Sequence, residues 1–236
     1  MSQLRAIYEN QIRQLAEASR QIGLKGLTSS VGGNLSFRVS PEHILVTPTN
    51  VPKEQMKPEY ICIVDYQGHT VDAAEGFAPT SETPFHTMIA RERPDVVAAA
   101  HAHCKVLSAF AIAETPWLEL PIFPEPMMEI GPIVTVPYRT PSCDLLAEEI
   151  KKYLHKSNGF LLQNHGALAV STVSPMDVVE KLYMMECVAT SVYMAVTMGK
   201  LRTLTPVETR EVARLQQIKG LATDIEPIEK SYCCAK

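Results

Sequence analysis

Two short strand-like runs, each followed by histidine, constrain this chain more than any other feature. Residues 96–100 precede His101 and His103, and residues 160–164 precede His165. Short apolar runs of this kind are typical of buried β-strands. Side chains two residues apart in a strand share a face, so His101 and His103 can point to one place, and a second strand can bring His165 there. Three neutral imidazoles with an open fourth position are typical of a catalytic divalent metal, most often zinc.

The rest of the chain predicts helices and strands that alternate without a regular βαβ rhythm. Apolar residues three and four apart predict an amphipathic helix over residues 4–22, and Ser174-Pro175 begins a long helix. Further predictions are strands at 35–39, 43–47 and 60–65, extended chain at 132–137, and helices at 84–93, 104–113 and 142–154. We therefore expect a single α/β domain over residues 1–222, with a mixed or largely antiparallel central sheet layered by helices. A loosely held tail is expected over residues 223–236.

Composition argues against several classes of partner. The chain has 236 residues, a formal net charge of −4 and no block of basic residues, so we expect neither nucleic acid nor an anionic membrane surface as a partner. We find no apolar run of membrane-spanning length and no targeting segment. The six scattered cysteines are typical of reduced thiols. These features predict a cytoplasmic enzyme.

Glu82 is a candidate catalytic carboxylate. It follows Thr80 and Ser81 just before a predicted helix, where small hydroxyl side chains line its approach. The position also suits a glutamate that only stabilises the positive end of the helix dipole. His86 comes four residues later on the same predicted helix, where it can support the site.

Two small polar loops are candidates for binding an anion. Gly33-Asn34 and Thr49-Asn50 lie next to predicted strands. Backbone amides with Asn, Thr and Ser side chains can hold a phosphate without a lysine. Each loop taken alone is more simply a turn.

Together these segments resemble the class II aldolase/adducin family over residues 4–199, with the motifs in the family's order. The segments that carry the resemblance are Gly33-Asn34-Leu35-Ser36, Thr47-Pro48-Thr49-Asn50, Thr80-Ser81-Glu82, His101-Ala102-His103 and Asn164-His165-Gly166. The resemblance implies Zn²⁺, or another divalent ion such as Mn²⁺ or Co²⁺, on His101, His103 and His165, with Glu82 as a further ligand when substrate is absent. The phosphate contacts that it implies come from Gly33, Asn34, Thr49, Asn50, Thr80 and Ser81.

The function implied by the resemblance is that of a metal-dependent lyase. Such an enzyme cleaves a ketose 1-phosphate reversibly into dihydroxyacetone phosphate and an aldehyde, through a metal-stabilised enediolate. Glu82 would leave the metal when substrate binds and would then carry the proton. The related pentulose-phosphate 4-epimerases have aspartate at this place, so Glu82 favours the aldolases. All three histidines are present, which argues against a non-catalytic assembly module of the adducin type.

Two features leave open which bond is cleaved. Asn50 replaces the glycine of the aldolases' second phosphate loop, and some relatives that decarboxylate 3-oxo sugar-acid phosphates also have Thr-Pro-Thr-Asn there. The proton donor to the leaving group is unassigned, with only Tyr138 and Tyr232 as candidates. The resemblance further implies a homotetramer whose active site lies near a subunit boundary.

Overall fold

An eight-stranded sheet forms the centre of the part of the chain that the structure describes. The computed structural model describes residues 2–221 and 225–233. Its strands are β1 (Asn34–Arg38), β2 (His43–Val46), β3 (Cys62–Asp65), β4 (Thr70–Asp72), β5 (Ala98–Ala102), β6 (Val134–Val136), β7 (Gly159–Leu162) and β8 (Gly166–Ser171). They are ordered β4-β3-β2-β1-β5-β8-β7-β6, and only β6 and β7 are parallel. The expected α/β fold with a mixed, largely antiparallel sheet is confirmed.

Helices cover both faces of this sheet. They are α1 (Gln3–Ile7), α2 (Glu9–Leu24), α3 (Thr83–Glu92), α4 (Lys105–Ile112), α5 (Pro124–Glu129), α6 (Asp144–Lys151), α7 (Pro175–Met198), α8 (Pro206–Ile218) and α9 (Ile228–Cys233). α2, α4 and α7 share an apolar core with one face, and α3 and α6 share a second core with the other. Within the described ranges, no helix is both long and apolar enough to cross a membrane.

The central strands are buried on both faces, and their side chains alternate between the two cores. Ala100 and Ala169 belong to the core that includes α7, whereas Phe160 and Leu168 belong to the core of α3 and α6. Small alanine side chains leave room for the long helix, whose Leu182 is fully buried. Because both faces of these strands are packed against helices, the polar side chains at the strand ends are held in fixed positions.

Several elements differ from the prediction made from the sequence. The predicted first helix is two helices, since Tyr8 has a ψ of 17° that interrupts the helical backbone. β5 is displaced towards the carboxyl end and includes His101, which the pattern predicted to follow the strand. The prediction did not include β8, because its Gly-Ala start carries little strand signal. It also left out α8, although Thr205, Pro206 and Glu208 form a recognisable helix start.

Part of the expected tail is described. α9 contacts α8, and Ile228 and Tyr232 are buried in a cluster that includes Met127 and Val212. The expected boundary at residue 222 and residues 234–236 lie outside the described residues.

A buried arginine joins α3 to the segment that leads into β7. Arg93 is 1% exposed and donates to the Asp95 carboxylate at 2.6 Å, to the Leu154 carbonyl oxygen at 2.9 Å and to Asn158 Oδ1 at 3.2 Å. Because removal of one partner leaves a poorly solvated charge, Arg93→Met is expected to lower the free energy of unfolding by about 3–5 kcal/mol. Denaturant titration would measure the change.

The control is Arg13→Met, whose side chain is 66% exposed and pairs with Glu9 on the same helix. Its free energy of unfolding is expected to change by less than about 0.5 kcal/mol. Equal stability of the two variants would contradict the role given to Arg93.

Candidate metal centre

Three histidines meet at one end of the central strands. His101 lies in β5, His103 follows that strand directly, and His165 lies in the turn between β7 and β8. Their ring nitrogens lie within 4.8 Å of one another. β5 and β8 are neighbours in the sheet, which explains why residues so distant in the sequence come together. The structure thus brings together the three histidines that the sequence singled out.

The hydrogen bonds of His101 suit a metal ligand. Its Nδ1 lies 2.9 Å from the carbonyl oxygen of Ala167, which can only accept, so Nδ1 carries the hydrogen and Nε2 keeps a lone pair. Nε2 faces His103 Nε2 at 3.0 Å. Two nitrogens bound tetrahedrally to one zinc ion would be roughly 3.3 Å apart, so this spacing is close to the one required.

Burial keeps these imidazoles neutral. It holds the pKa of His101 well below its usual value, and it also lowers the pKa of His103 and of His165. A neutral imidazole is the form that binds a metal. The donor set therefore fits a divalent ion.

A glycine is required beside the cluster for steric reasons. A Cβ atom on Gly166 would lie 2.7 Å from the carbonyl oxygen of Ala102 and 2.9 Å from His103 Cδ2. Both distances are shorter than a carbon side chain tolerates. The absence of a side chain at Gly166 lets β8 begin directly against the end of β5.

Glu82 is placed against the histidines by the start of α3. It precedes Thr83, the first residue of that helix, and is 6% exposed. Its Oε2 lies 3.5 Å from His101 Nε2, and its Oε1 lies 3.5 Å from His165 Nε2. In the described part of the chain, Oε1 has no hydrogen-bond partner. Burial raises the pKa of this carboxyl above its usual value, so Glu82 suits both metal ligation and proton transfer.

A chain of hydrogen bonds from β1 and α3 orients Glu82. Asn34 Nδ2 donates to Glu82 Oε2 at 2.8 Å. Asn34 Oδ1 accepts from His86 Nε2 at 2.7 Å, and His86 Nδ1 in turn accepts from the Ser36 hydroxyl at 2.7 Å. Burial lowers the pKa of His86 to about 3, so its ring stays neutral. The Asn34 amide, which the resemblance assigns to phosphate, therefore also holds the carboxylate.

In the sequence, the spacing of four residues from Glu82 indicated that His86 could support the site. It did not indicate which residues His86 would contact. His86 meets Asn34 and Ser36 only because α3 packs across β1. Its partners are far away in the chain, so no local pattern could have identified them.

The other residues expected to bind phosphate lie in connected loops. Gly33 has a φ of +75°, and a Cβ there would lie 2.7 Å from the His101 carbonyl oxygen. Asn50 also has a left-handed backbone, with a φ of 57°, a conformation that asparagine tolerates better than most residues. The Thr80 amide donates to the Thr47 carbonyl oxygen at 3.0 Å, which joins the Thr49-Asn50 loop to the segment before Glu82. Ser81 is exposed, and its hydroxyl lies 2.9 Å from that of Ser142.

The two tyrosines proposed as proton donors have different surroundings. Tyr138 is 48% exposed and follows β6. Tyr232 is buried in the apolar cluster with Met127, and this burial raises its pKa well above the usual value. Tyr232 is therefore a poor source of a proton within its own subunit.

The histidine cluster predicts a metal-binding phenotype. His165→Ala is expected to weaken zinc binding at least about a hundredfold, because one of three ligands and the facing partner of Glu82 are lost. Competition with a chromophoric chelator would measure the affinity. The control is His69→Ala, whose side chain is 79% exposed and is expected to leave the affinity unchanged. Wild-type affinity in His165→Ala would exclude this residue as a ligand.

Curated relatives of the chain include two kinds of enzyme. A 3-oxo-tetronate 4-phosphate decarboxylase of Haemophilus influenzae is 27% identical over 161 residues, which cover 67% of this chain and 75% of the relative. An L-fuculose phosphate aldolase of Escherichia coli K12 is 30% identical over 159 residues, which cover 66% of this chain and 71% of the relative.

Solved structures with the same fold cover most of the chain. YgbL from Escherichia coli has a TM-score of 0.78 at 21% identity, covering 89% of this chain and 99% of that one. L-fuculose 1-phosphate aldolase from Glaciozyma antarctica PI12 has a TM-score of 0.76 at 19% identity, covering 98% and 88% of the two chains. Residues 13–196, which include the candidate metal ligands and the residues expected to bind phosphate, match the Class II Aldolase and Adducin N-terminal domain. The chain therefore belongs to the class II aldolase/adducin family.

Proposed function

We propose that this protein is a metal-dependent lyase that cleaves a ketose 1-phosphate of the L-fuculose 1-phosphate type into dihydroxyacetone phosphate and an aldehyde. The observation that carries the proposal is the geometry of Glu82. One carboxylate oxygen is fixed by Asn34, and the other has no partner among the described residues and lies 3.5 Å from His165 Nε2. A buried, oriented and half-unpartnered carboxylate beside three neutral imidazoles suits proton transfer at a metal centre.

His101, His103 and His165 would hold the metal, with Glu82 as a further ligand when substrate is absent. Zn²⁺ fits the neutral nitrogen donors, and Mn²⁺ or Co²⁺ are alternatives. When bound, the ion supplies a Lewis acid that stabilises negative charge on the substrate oxygens. Gly33, Asn34, Thr49, Asn50, Thr80 and Ser81 are proposed to bind the phosphate.

Glu82 would move the proton that the cleavage requires. Breaking the bond between C3 and C4 of a ketose 1-phosphate leaves the electron pair on the three-carbon fragment, which must then gain a proton at C3. Glu82 carries that proton more readily than an ordinary glutamate near neutral pH, because burial raises its pKa. In the direction of aldol synthesis, the Glu82 carboxylate removes the same proton from C3 of dihydroxyacetone phosphate. Asn34 keeps the carboxyl in place throughout.

The aldehyde also requires that the C4 hydroxyl lose its proton. The base for this step would come from a neighbouring subunit, since we expect a homotetramer whose site lies near a subunit boundary. Exposed apolar residues on α7 support such contacts: Tyr183, Tyr193, Met194 and Met198. A cytoplasmic location is proposed on the basis of the bacterial relatives.

Decarboxylation of a 3-oxo sugar-acid phosphate is the second candidate reaction. It is favoured by Asn50 and by the Haemophilus influenzae relative. Loss of carbon dioxide from a 3-oxo-tetronate 4-phosphate leaves the same three-carbon enediolate as the aldol cleavage. Glu82 would protonate it in the same way, and no base for a leaving hydroxyl would be needed.

Glu82→Gln is expected to retain the metal and to lower kcat at least about a hundredfold, because the amide cannot transfer the proton. Metal content by emission spectrometry and turnover would be measured on the same preparation. Glu75→Gln, at an exposed position, is the matched control and should behave as wild type. Full turnover by Glu82→Gln would exclude its role as proton carrier.

Incubation of the zinc-loaded protein with dihydroxyacetone phosphate and small aldehydes should form ketose 1-phosphates, detected by mass spectrometry. A parallel incubation with 3-oxo-tetronate 4-phosphate would be assayed for carbon dioxide. Carbon dioxide release without carbon–carbon bond formation would replace the aldolase by the decarboxylase. A metal-loaded protein that did neither would contradict both assignments.

A further inference from the structure

Lys53 is a buried lysine that joins the two loops expected to bind phosphate. It begins a short 3₁₀ helix (Lys53–Gln55) just after the Thr49-Asn50 loop, and it is 1% exposed. Its Nζ donates to the carbonyl oxygen of Val31 at 3.1 Å and to that of Val51 at 3.0 Å. Val31 lies in the glycine loop, and Val51 ends the other loop. The ammonium group therefore lies between these two segments.

Among the residues that the structure describes, Lys53 has no acidic partner for its charge. None of the ion pairs formed by the described residues includes it. Its two hydrogen-bond acceptors are neutral carbonyl oxygens, which leave the positive charge uncompensated. Burial lowers the pKa of Lys53 to about 8, so the side chain is still mostly charged at neutral pH. Burying an unpaired ammonium costs stability, and functional sites are where proteins accept costs of this kind.

The glycine loop that Lys53 contacts borders the candidate metal centre. A Cβ atom placed on Gly32, next to Val31, would lie 2.9 Å from His103 Nδ1. The loop that Lys53 contacts therefore lies directly against this histidine. By contrast, the six residues expected to contact phosphate carry no formal charge: Gly33, Asn34, Thr49, Asn50, Thr80 and Ser81.

We propose that Lys53 supplies the positive charge that makes the loop pocket selective for the phosphate group of the substrate. Lys53 acts as a positioning residue, because it holds the glycine loop and the Thr49-Asn50 loop together. Its positive charge lies behind both loops and attracts the phosphate that they bind. The inference rests on the proposed function, because it assumes that these loops bind the substrate's phosphate. It assigns to one residue an anion preference that neutral loops alone would provide only weakly.

The test compares two replacements of Lys53 with inorganic phosphate as the probe. Lys53→Met removes the charge and the donors, whereas Lys53→Gln removes the charge but keeps an N–H donor. Binding to the zinc-loaded protein would be measured from the phosphate-dependent rise in Tm, with chloride at equal ionic strength as reference. Both variants are expected to bind phosphate about tenfold more weakly or worse. Both should raise KM for the sugar phosphate more than they lower kcat.

The matched control is Lys57→Met, an exposed lysine of the same segment, which should bind phosphate as the wild type does. Zinc content and circular dichroism would establish that each variant is folded, and Lys53→Gln serves if Lys53→Met does not fold. Wild-type phosphate affinity in Lys53→Gln would show that the donor and not the charge matters, which would overturn the proposal.

Failure of this inference and failure of the proposed function give different results. Turnover of a sugar phosphate without any dependence of phosphate affinity on Lys53 would refute only the role of this lysine. Phosphate binding that depends on Lys53, in a protein that turns over neither class of substrate, would support the anion site and contradict the lyase assignment.

Discussion

Pairing of β5 with β1 on one side and with β8 on the other is the constraint on which the site depends. Asn34 in β1 pairs with His101, and Leu168 in β8 pairs with the same histidine. Residues paired across strands stand about 4.5–5.5 Å apart, so Asn34 is placed where it can hold Glu82 against the imidazole. Because side chains alternate between faces, a slip of one residue between β1 and β5 would turn the His101 side chain to the other face of the sheet, away from Glu82.

The buried polar groups around this pairing are mostly satisfied, and the exceptions are informative. Four buried side-chain atoms in the described residues have no hydrogen-bond partner, and two of them are Glu82 Oε1 and His165 Nδ1. Such groups cost free energy in a folded protein, so their presence in one cluster indicates a place for a ligand. The buried ammonium of Lys53 adds a positive charge beside the glycine loop. A bound metal and an anionic substrate would together supply partners for the unpaired polar atoms and for the charge of Lys53.

Much of the site was predictable from local pattern, because its residues mark the ends of recognisable elements. His101 and His103 follow an apolar run, His165 ends another, and Glu82 precedes a helix. The positions of Tyr8 and β8 were not predictable in this way, whereas α8 has a recognisable local start at Thr205-Pro206. A helix that continues past Tyr8 satisfies the same apolar spacing, and Gly166 and the alanine after it have weak strand preferences that only packing under α7 overrides. Lys53 gave no signal at all, since a lysine three residues beyond a loop is usually exposed.

By itself, the sequence determined the kinds of chemistry available: three imidazoles, one carboxylate and loops of small polar residues, in the order of a known family. These properties belong to residue types and short spacings, which do not depend on distant contacts. Only the tertiary structure decided how these groups act on one another. It joined His86 to Glu82 through Asn34, and it placed Lys53 between two loops. Such relations depend on strand register and on helices packed across the sheet, because the partners are tens of residues apart and meet only when the core is formed.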